Sequence, residues 1–253
     1  MVSDEKNRPE EGQIEGKNAL LEALKAGRSI DKVYIAKGEA GKNLKYIASK
    51  ARAAGAVISE VDRRKLDYMS KTKAHQGVIA LVAVHEYSSV DDIIKAAEAK
   101  KEKPLVIICD EISDPHNLGA IIRTGEAAGA HGIIIPKRRS AGITAIVRKT
   151  SAGAVEHMPV ARVPNISAAI KELKKHGIWI FGAAAEGETR LWDADFKDAA
   201  AIVIGSEGEG MGRLVAENCD FKVSIPMKGR LSSLNASAAA AVLIYEAVRQ
   251  RSE

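Results

Sequence analysis

Three short stretches hold the residues best suited to chemistry. The first, DPHNLGAIIRT, spans 114–124. Asn117 has a helix-capping side chain, and Arg123 follows it by six positions. An arginine near a helix start presents a planar donor fork that suits phosphate; the plainer alternative is a cap and a surface arginine. The second, IGSEGEGMG, spans 204–212. Its glycines let backbone approach a ligand closely. It is not a dinucleotide fingerprint, because Arg213 stands where G-x-G-x-x-G requires its third glycine. Glu207 is a lone carboxylate at a strand end, either a reactive group or a charge that favours a helix start. The third, RLSSLNAS, spans 230–237, with Ser232, Ser233 and Asn235 as candidate caps for the alanine-rich run that follows. Neither the six histidines nor Cys109 and Cys219 show metal-ligand spacing. No G-x-S-x-G elbow or Walker loop is present.

The elements around these stretches must bring them together. Phe221 to Ile225 reads as a strand closed by Pro226, and Ala236 to Val248 as a helix. A strand end, a tight loop and a helix start therefore converge at the third stretch. The first stretch follows Pro104 to Cys109, an almost wholly apolar run that marks a central parallel strand. Its helix is expected over Asn117 to Gly129. Further strands are expected at Gly132 to Ile135, Ala154 to Val160 in part, Ile178 to Ala184 and Ala201 to Gly205. Helices are expected at Ile143 to Thr150, Ile166 to His176 and Met211 to Glu217. This alternation predicts an α/β domain with a mainly parallel sheet over 104–253. Ligands bind at the carboxyl ends of such strands.

Upstream, Ile14 to Ala26 and Leu44 to Ala54 read as helices, and Val33 to Ala36, Ala56 to Ile58 and Val78 to Val84 as strands. Asp62 is expected to cap a short helix through Ser70. These make a small α/β domain over 13–86. Residues 1–12 read as a disordered tail, and the mostly charged, helix-like segment over 87–103 reads as a linker.

The 253 residues carry a net charge of +5. Residues 1–85 hold 16 basic and 11 acidic side chains, while the remainder is balanced at 22 each. The excess suits an anionic partner such as nucleic acid, or a solvated lysine-rich surface. Two cysteines in apolar contexts predict buried free thiols in a reducing compartment. The absence of a long apolar run, with a polar amino terminus, predicts a cytoplasmic protein without membrane spans.

In order, DPHNLGAIIRT, IGSEGEGMG and IPMKGRLSSLNASAAA resemble the three motifs of the SpoU/TrmH family, RNA ribose 2′-O-methyltransferases of the SPOUT superfamily. IEGKNALLEALKAGRSIDKVYIAKG, AHQGVIA and RKTSAGAVEHMPV are similar to its RlmB-type branch, so the likeness spans about residues 14–251. The resemblance implies an L30e-like RNA-binding domain, a catalytic domain with a deep trefoil knot, and a homodimer. It implies S-adenosylmethionine as cofactor, held around Ala184, Gly205, Ile225, Met227 and Leu234. It implies that Asn117, Arg123, Glu207, Ser233 and Asn235 serve the chemistry, with no metal. A guanosine ribose of 23S ribosomal RNA is the implied target. A tRNA ribose, or RNA binding without catalysis, are the alternatives. Gly125 stands where relatives usually carry alanine, at an expected helix cost of roughly 1 kcal/mol.

Overall fold

The computed structural model describes residues 12–38, 42–82 and 86–252. The expected tail over 1–12 thus falls, apart from Gly12, outside the described residues. The chain forms two units, Met1–Glu86 and Tyr87–Glu253.

The first unit runs β1 (Gln13–Glu15), α1 (Lys17–Lys25), β2 (Ile30–Ala36), α2 (Lys42–Ala53), β3 (Val57–Val61), α3 (Arg63–Met69) and β4 (Val78–Val82). Its sheet has the order β1-β4-β2-β3, with only β2 and β3 parallel. The core joins Leu20 and Ala23 of α1, Val33 and Ile35 of β2, Ile47 of α2 and Ala80 of β4. The helix expected from Ile14 is corrected here: residues 13–15 are an edge strand, and Ile14 pairs with Ala80. Gly16, at φ 91°, turns the chain between strand and helix, a conformation open to glycine. Contacts far along the chain decide the matter, because Glu15 accepts from Ser70 Oγ at 2.6 Å and from Lys71 N at 2.7 Å. Burial raises the Glu15 pKa, but hydrogen bonds from Ser70, Thr72 and Lys71 outweigh it and hold the carboxyl at about 2. Asp62 caps α3, accepting from Arg64 N at 2.8 Å. Of the strand expected through Val84, Ala83 and Val84 lie outside the described residues.

The second unit opens with α4 (Val90–Lys100), so the segment over 87–103 is helical as expected but is corrected from a linker to a helix packed within this unit. Ser89 and Asp92 form a reciprocal capping box, with Asp92 N donating to Ser89 Oγ at 3.1 Å. Val90, Ile93, Ile94 and Ala97 are buried against the sheet. Charged residues dominate the composition of this segment and hide its apolar face.

There follow β5 (Leu105–Cys109), α5 (Pro115–Ala127), β6 (Gly132–Pro136), α6 (Ala145–Thr150), β7 (Val160–Val163), α7 (Ile166–Lys175), β8 (Trp179–Ala183) and β9 (Thr189–Arg190). The chain closes with β10 (Ala200–Ile204), α8 (Arg213–Asn218), β11 (Phe221–Ser224) and α9 (Ala236–Arg251). The seven strands pair in the order β7-β6-β5-β10-β8-β11-β9, every pair parallel. All five residues of β5 are buried, as expected for a strand covered on both faces. Ile107 and Cys109 face α5 and α9, while Val106 and Ile108 face α4 and α7. Each fully buried isoleucine of this kind contributes about 1.5–3 kcal/mol.

At the carboxyl end of α9, Gln250 accepts from Phe196 N at 2.7 Å and donates to Ala194 O at 2.9 Å. The Arg251 guanidinium donates to the carbonyls of Lys103, Pro104, Phe196 and Asp198. Glu246, buried, accepts from Gln250 at 2.8 Å and from Arg249. The alanine-rich helix is thus tied to the opposite end of the sheet from its own start.

Candidate active site

β10 enters the sheet between β5 and β8, where the strand order reverses, and the carboxyl ends of these strands open the crevice expected of such a point. The chain leaving β10 turns back at once. Ser206 N donates to Gly210 O at 3.0 Å, and Gly210 N to Ser206 O at 2.9 Å. A Cβ on Gly205 would lie 2.2 Å from the Gly210 carbonyl carbon, so a side chain there would displace backbone. Asp110, at the end of β5, fixes the far side of this loop by accepting from Gly212 N at 2.8 Å. Burial pushes the Asp110 pKa up, against that hydrogen bond. Asp110 was not foreseen, although its signal is legible as a carboxylate closing the apolar run LVIIC.

A cavity of about 530 Å³ opens against this loop, within the range of small-molecule sites. Ala184, Gly205, Ile225, Met227 and Leu234 all line it. Its floor is small and apolar, from Ala183 to Ala185 and Val223, and Glu207, Ser233 and Asn235 stand at its polar side.

The three motif stretches meet there. Asn117 Nδ2 donates to Glu207 Oε1 at 2.9 Å, and Asn235 Nδ2 donates to Asn117 Oδ1 at 3.0 Å and to the same Glu207 oxygen. Ala236 N adds a donor to that oxygen at 3.2 Å. The orientation of Asn235 follows from its second task. Its Oδ1 caps α9 by accepting from Ser237 N at 3.0 Å and Ala238 N at 3.2 Å, which turns its NH₂ toward the carboxylate.

One expectation is corrected. Asn117 is not the cap of α5; Asp114 is, accepting from His116 N at 2.9 Å, with Pro115 in the first turn. Proline favours that position, so the helix starts earlier and leaves Asn117 free to face Glu207. Arg123 does not line the cavity. Six residues at 3.6 per turn place it about 120° around α5 from Asn117. It is exposed there, without a hydrogen bond or ion pair among the described residues. Gly125 packs α5 onto β5, since a Cβ would lie 2.5 Å from Ile107 Cδ1. The helix cost expected of this glycine is therefore set against a close contact.

The cavity fits S-adenosylmethionine in kind: alanine and aliphatic walls, backbone exposed by glycine, and hydrogen-bonding groups confined to one side. Among the described residues no cluster of three or more His, Cys, Asp or Glu could hold a metal ion.

Comparison with known proteins agrees with this arrangement. Residues 104–245 match the SpoU rRNA Methylase family, and residues 13–88 match the RNA 2′-O ribose methyltransferase substrate binding family. A Bacillus subtilis protein, provisionally named as the TrmH family tRNA/rRNA methyltransferase YacO, is 49% identical over 93% of this chain and 94% of its own. The SpoU methyltransferase AviRb from Streptomyces viridochromogenes, solved with AdoMet, is 27% identical with a TM-score of 0.60, over 95% of this chain and 90% of that one. An AdoMet-bound rRNA methyltransferase from Sinorhizobium meliloti is 25% identical with a TM-score of 0.60, over 94% and 87%. A methylase sheet whose three motifs meet at one cavity, preceded by a substrate-binding unit, makes this chain a member of the SpoU/TrmH family of tRNA/rRNA 2′-O-methyltransferases.

Proposed function

We propose that this protein methylates the ribose 2′-hydroxyl of a guanosine in 23S ribosomal RNA, with S-adenosylmethionine as donor. The observation that carries the reading is the hydrogen-bonded set Asn117, Glu207 and Asn235 beside the apolar cavity. The cofactor, when bound, supplies an electrophilic methyl group on a positive sulfonium. Ala184, Gly205, Ile225, Met227 and Leu234 would hold it, largely through backbone and apolar contact. Glu207, steadied through one oxygen by three donors, keeps its other oxygen for the substrate side, where it can take the proton that the 2′-hydroxyl gives up as it gains the methyl group. Asn117 and Asn235 position that carboxylate, and Ser233 offers a hydroxyl beside it. An arginine is a poor base, since its pKa lies above about 12. Arg123, which the family resemblance makes the activator of the hydroxyl, is read equally as a clamp on that hydroxyl or its phosphate; it stands outside the cavity, on another face of α5.

The unit over 13–88 matches a substrate-binding family of RNA 2′-O ribose methyltransferases, which supports an RNA substrate, and the rRNA methylase family matched over 104–245 supports ribosomal RNA as our reading of it. The L30e-like character of that unit, the trefoil knot, a homodimer and a cytoplasmic location belong to the same proposal. No helix among the described residues is long and apolar enough to cross a membrane.

Methyl transfer to transcripts of 23S ribosomal RNA and of tRNA, with mapping of the modified nucleotide, tests the reading. A 2′-O-methylguanosine in the ribosomal transcript is expected; transfer to tRNA alone would replace the substrate, and transfer to neither would remove the activity. In single turnover, Arg123→Ala is expected to lose about 10²-fold in rate with cofactor affinity retained. Arg123→Lys should recover only part, because lysine lacks the planar fork.

A further inference from the structure

The charge balance of residues 86–253 conceals a strongly uneven distribution. Between Glu126 and Glu156 there is no acidic residue, while Lys137, Arg138, Arg139, Arg148 and Lys149 all fall in that interval. The first three leave the carboxyl end of β6. Ile134 of β6 pairs with Ile108 of β5, and Cys109 pairs with Ile204 of β10. The basic loop therefore leaves the sheet on the same rim as the loop at Gly205, two strand spacings or about 10 Å away.

This loop is fixed along its length. Lys137 N donates to Val163 O at 2.8 Å, and Arg162 donates to Lys137 O. Ala141 N donates to Ile112 O at 2.8 Å, and Ile143 N to Tyr87 Oη at 2.9 Å. Arg139 holds φ 57° and pairs with Glu111 at 3.0 Å. Arg148 and Lys149 end α6, which sits so close to α5 that a Cβ on Gly119 would overlap the Thr150 side chain. Arg148 pairs with Glu156 at 2.9 Å. Arg138 and Lys149 are exposed and have no ion pair among the described residues. A rigid backbone thus presents Arg138 and Lys149 with no carboxylate partner among the described residues, beside Arg139 and Arg148, which each have one.

We propose that the 137–139 loop and the 148–149 helix end form a preorganised crest that binds the phosphates of the substrate RNA beside the methylated ribose. The inference rests on the function proposed above. A polyanion with regularly spaced charges is what a fixed row of lysine and arginine fits, and fixing the backbone beforehand reduces the ordering that binding requires. Position on the site's own rim, two strand spacings from the loop at Gly205, favours RNA over an acidic protein partner.

Binding of the ribosomal and tRNA transcripts to Arg138→Ala/Lys149→Ala protein, measured against salt, tests the crest. Loss of two phosphate contacts should make the plot of log K against log salt shallower by about 1.4. Affinity should fall about tenfold or more, cofactor affinity should hold, and the activity loss should appear in KM rather than kcat. Arg138→Lys/Lys149→Arg should keep the wild-type slope. An unchanged slope and affinity in the alanine pair, with methylation intact in wild type, would overturn the crest alone. A lost slope in the charge-retaining pair would make these residues structural and overturn it as well. Wild-type protein that methylates neither transcript would overturn the parent reading together with the crest.

Discussion

The two ends of α9 use similar side chains to opposite ends. At the amino end, Asn235 caps the helix with its oxygen and turns its nitrogen to Glu207 and Asn117, and both Asn235 and Glu207 are exposed. At the carboxyl end, Gln250 is 8% exposed, and its amide is consumed by Phe196 N, Ala194 O and Glu246. Arg251 spends its guanidinium on four backbone carbonyls. The carboxyl end has used its hydrogen-bonding capacity within the fold and anchors. The amino end keeps part of that capacity facing a cavity, and a site requires such a reserve.

The largest effect that could break this contrast is at Asn235. Asn235→Ala should lower the methylation rate about 10²–10³-fold while reducing stability by only about 1 kcal/mol, the value of a cap. Asn235→Asp sharpens the test, since aspartate also caps but loses the donor and sets a second carboxylate beside Glu207. It should melt close to wild type and remain inactive. Single-turnover rates beside thermal melting separate these quantities, and an active, fully stable alanine variant would take Asn235 out of the site.

The reverse pattern is expected at the other end. Arg251→Ala removes the donor of the Lys103, Phe196 and Asp198 carbonyls, while Pro104 O keeps Ala200 N, and should cost about 3 kcal/mol, lowering Tm by roughly 6–12 °C, while the folded fraction keeps its kcat. A variant that melts normally but turns over slowly would contradict the assignment of this end as an anchor.

The smallest effect is one of pH. Hydrogen bonding from Arg249 first, and then from Gln250, holds the Glu246 carboxyl below its ordinary value near 4.5, against the burial that raises it. A carboxyl lowered on folding contributes stability above its unfolded pKa and loses it as pH falls through the folded one. Stability should therefore decline below about pH 4.5, and Glu246→Gln should flatten the part of that decline due to this group. Glu15, held at about 2, adds a parallel decline that the variant leaves in place. Melting curves between pH 3 and 7 would show both, and an identical pH profile for the variant would remove Glu246 from the anchor.

Most of the sheet was legible from the chain because its central strands are apolar runs, as in LVIIC and AAIVI, but β9 was not expected, and of Ala154 to Val160 only Val160 belongs to a strand, β7. Every residue expected to hold the cofactor lines one cavity, since the motifs place them at strand ends and one helix start. Other features depended on contacts that periodicity does not carry. Strand β1 exists through Ala80 and through Ser70, some 55 residues from Glu15. The position of Arg123 is a matter of helical phase, and starting α5 at Asp114 instead of Asn117 left that phase unchanged while removing Asn117 from the cap. The apolar face of α4 was obscured by its lysines and acids, and only the burial of Ile93 and Ile94 exposes it.

The four-carbonyl clamp of Arg251 also bears on the order in which the polypeptide acquires its structure. Its partner Lys103 lies 148 residues earlier. Closure of so long a loop is entropically expensive and slow compared with pairing between neighbours. During synthesis, the carbonyl of Pro104 can already accept from Ala200 N, whereas that of Lys103 lacks its donor until Arg251 has been made. By then β1 and β4, separated by only some 65 residues, have long been available to pair. The first unit can thus be in place before the second locks, so folding of the methylase sheet is the step on which a chaperone would have the most time to act.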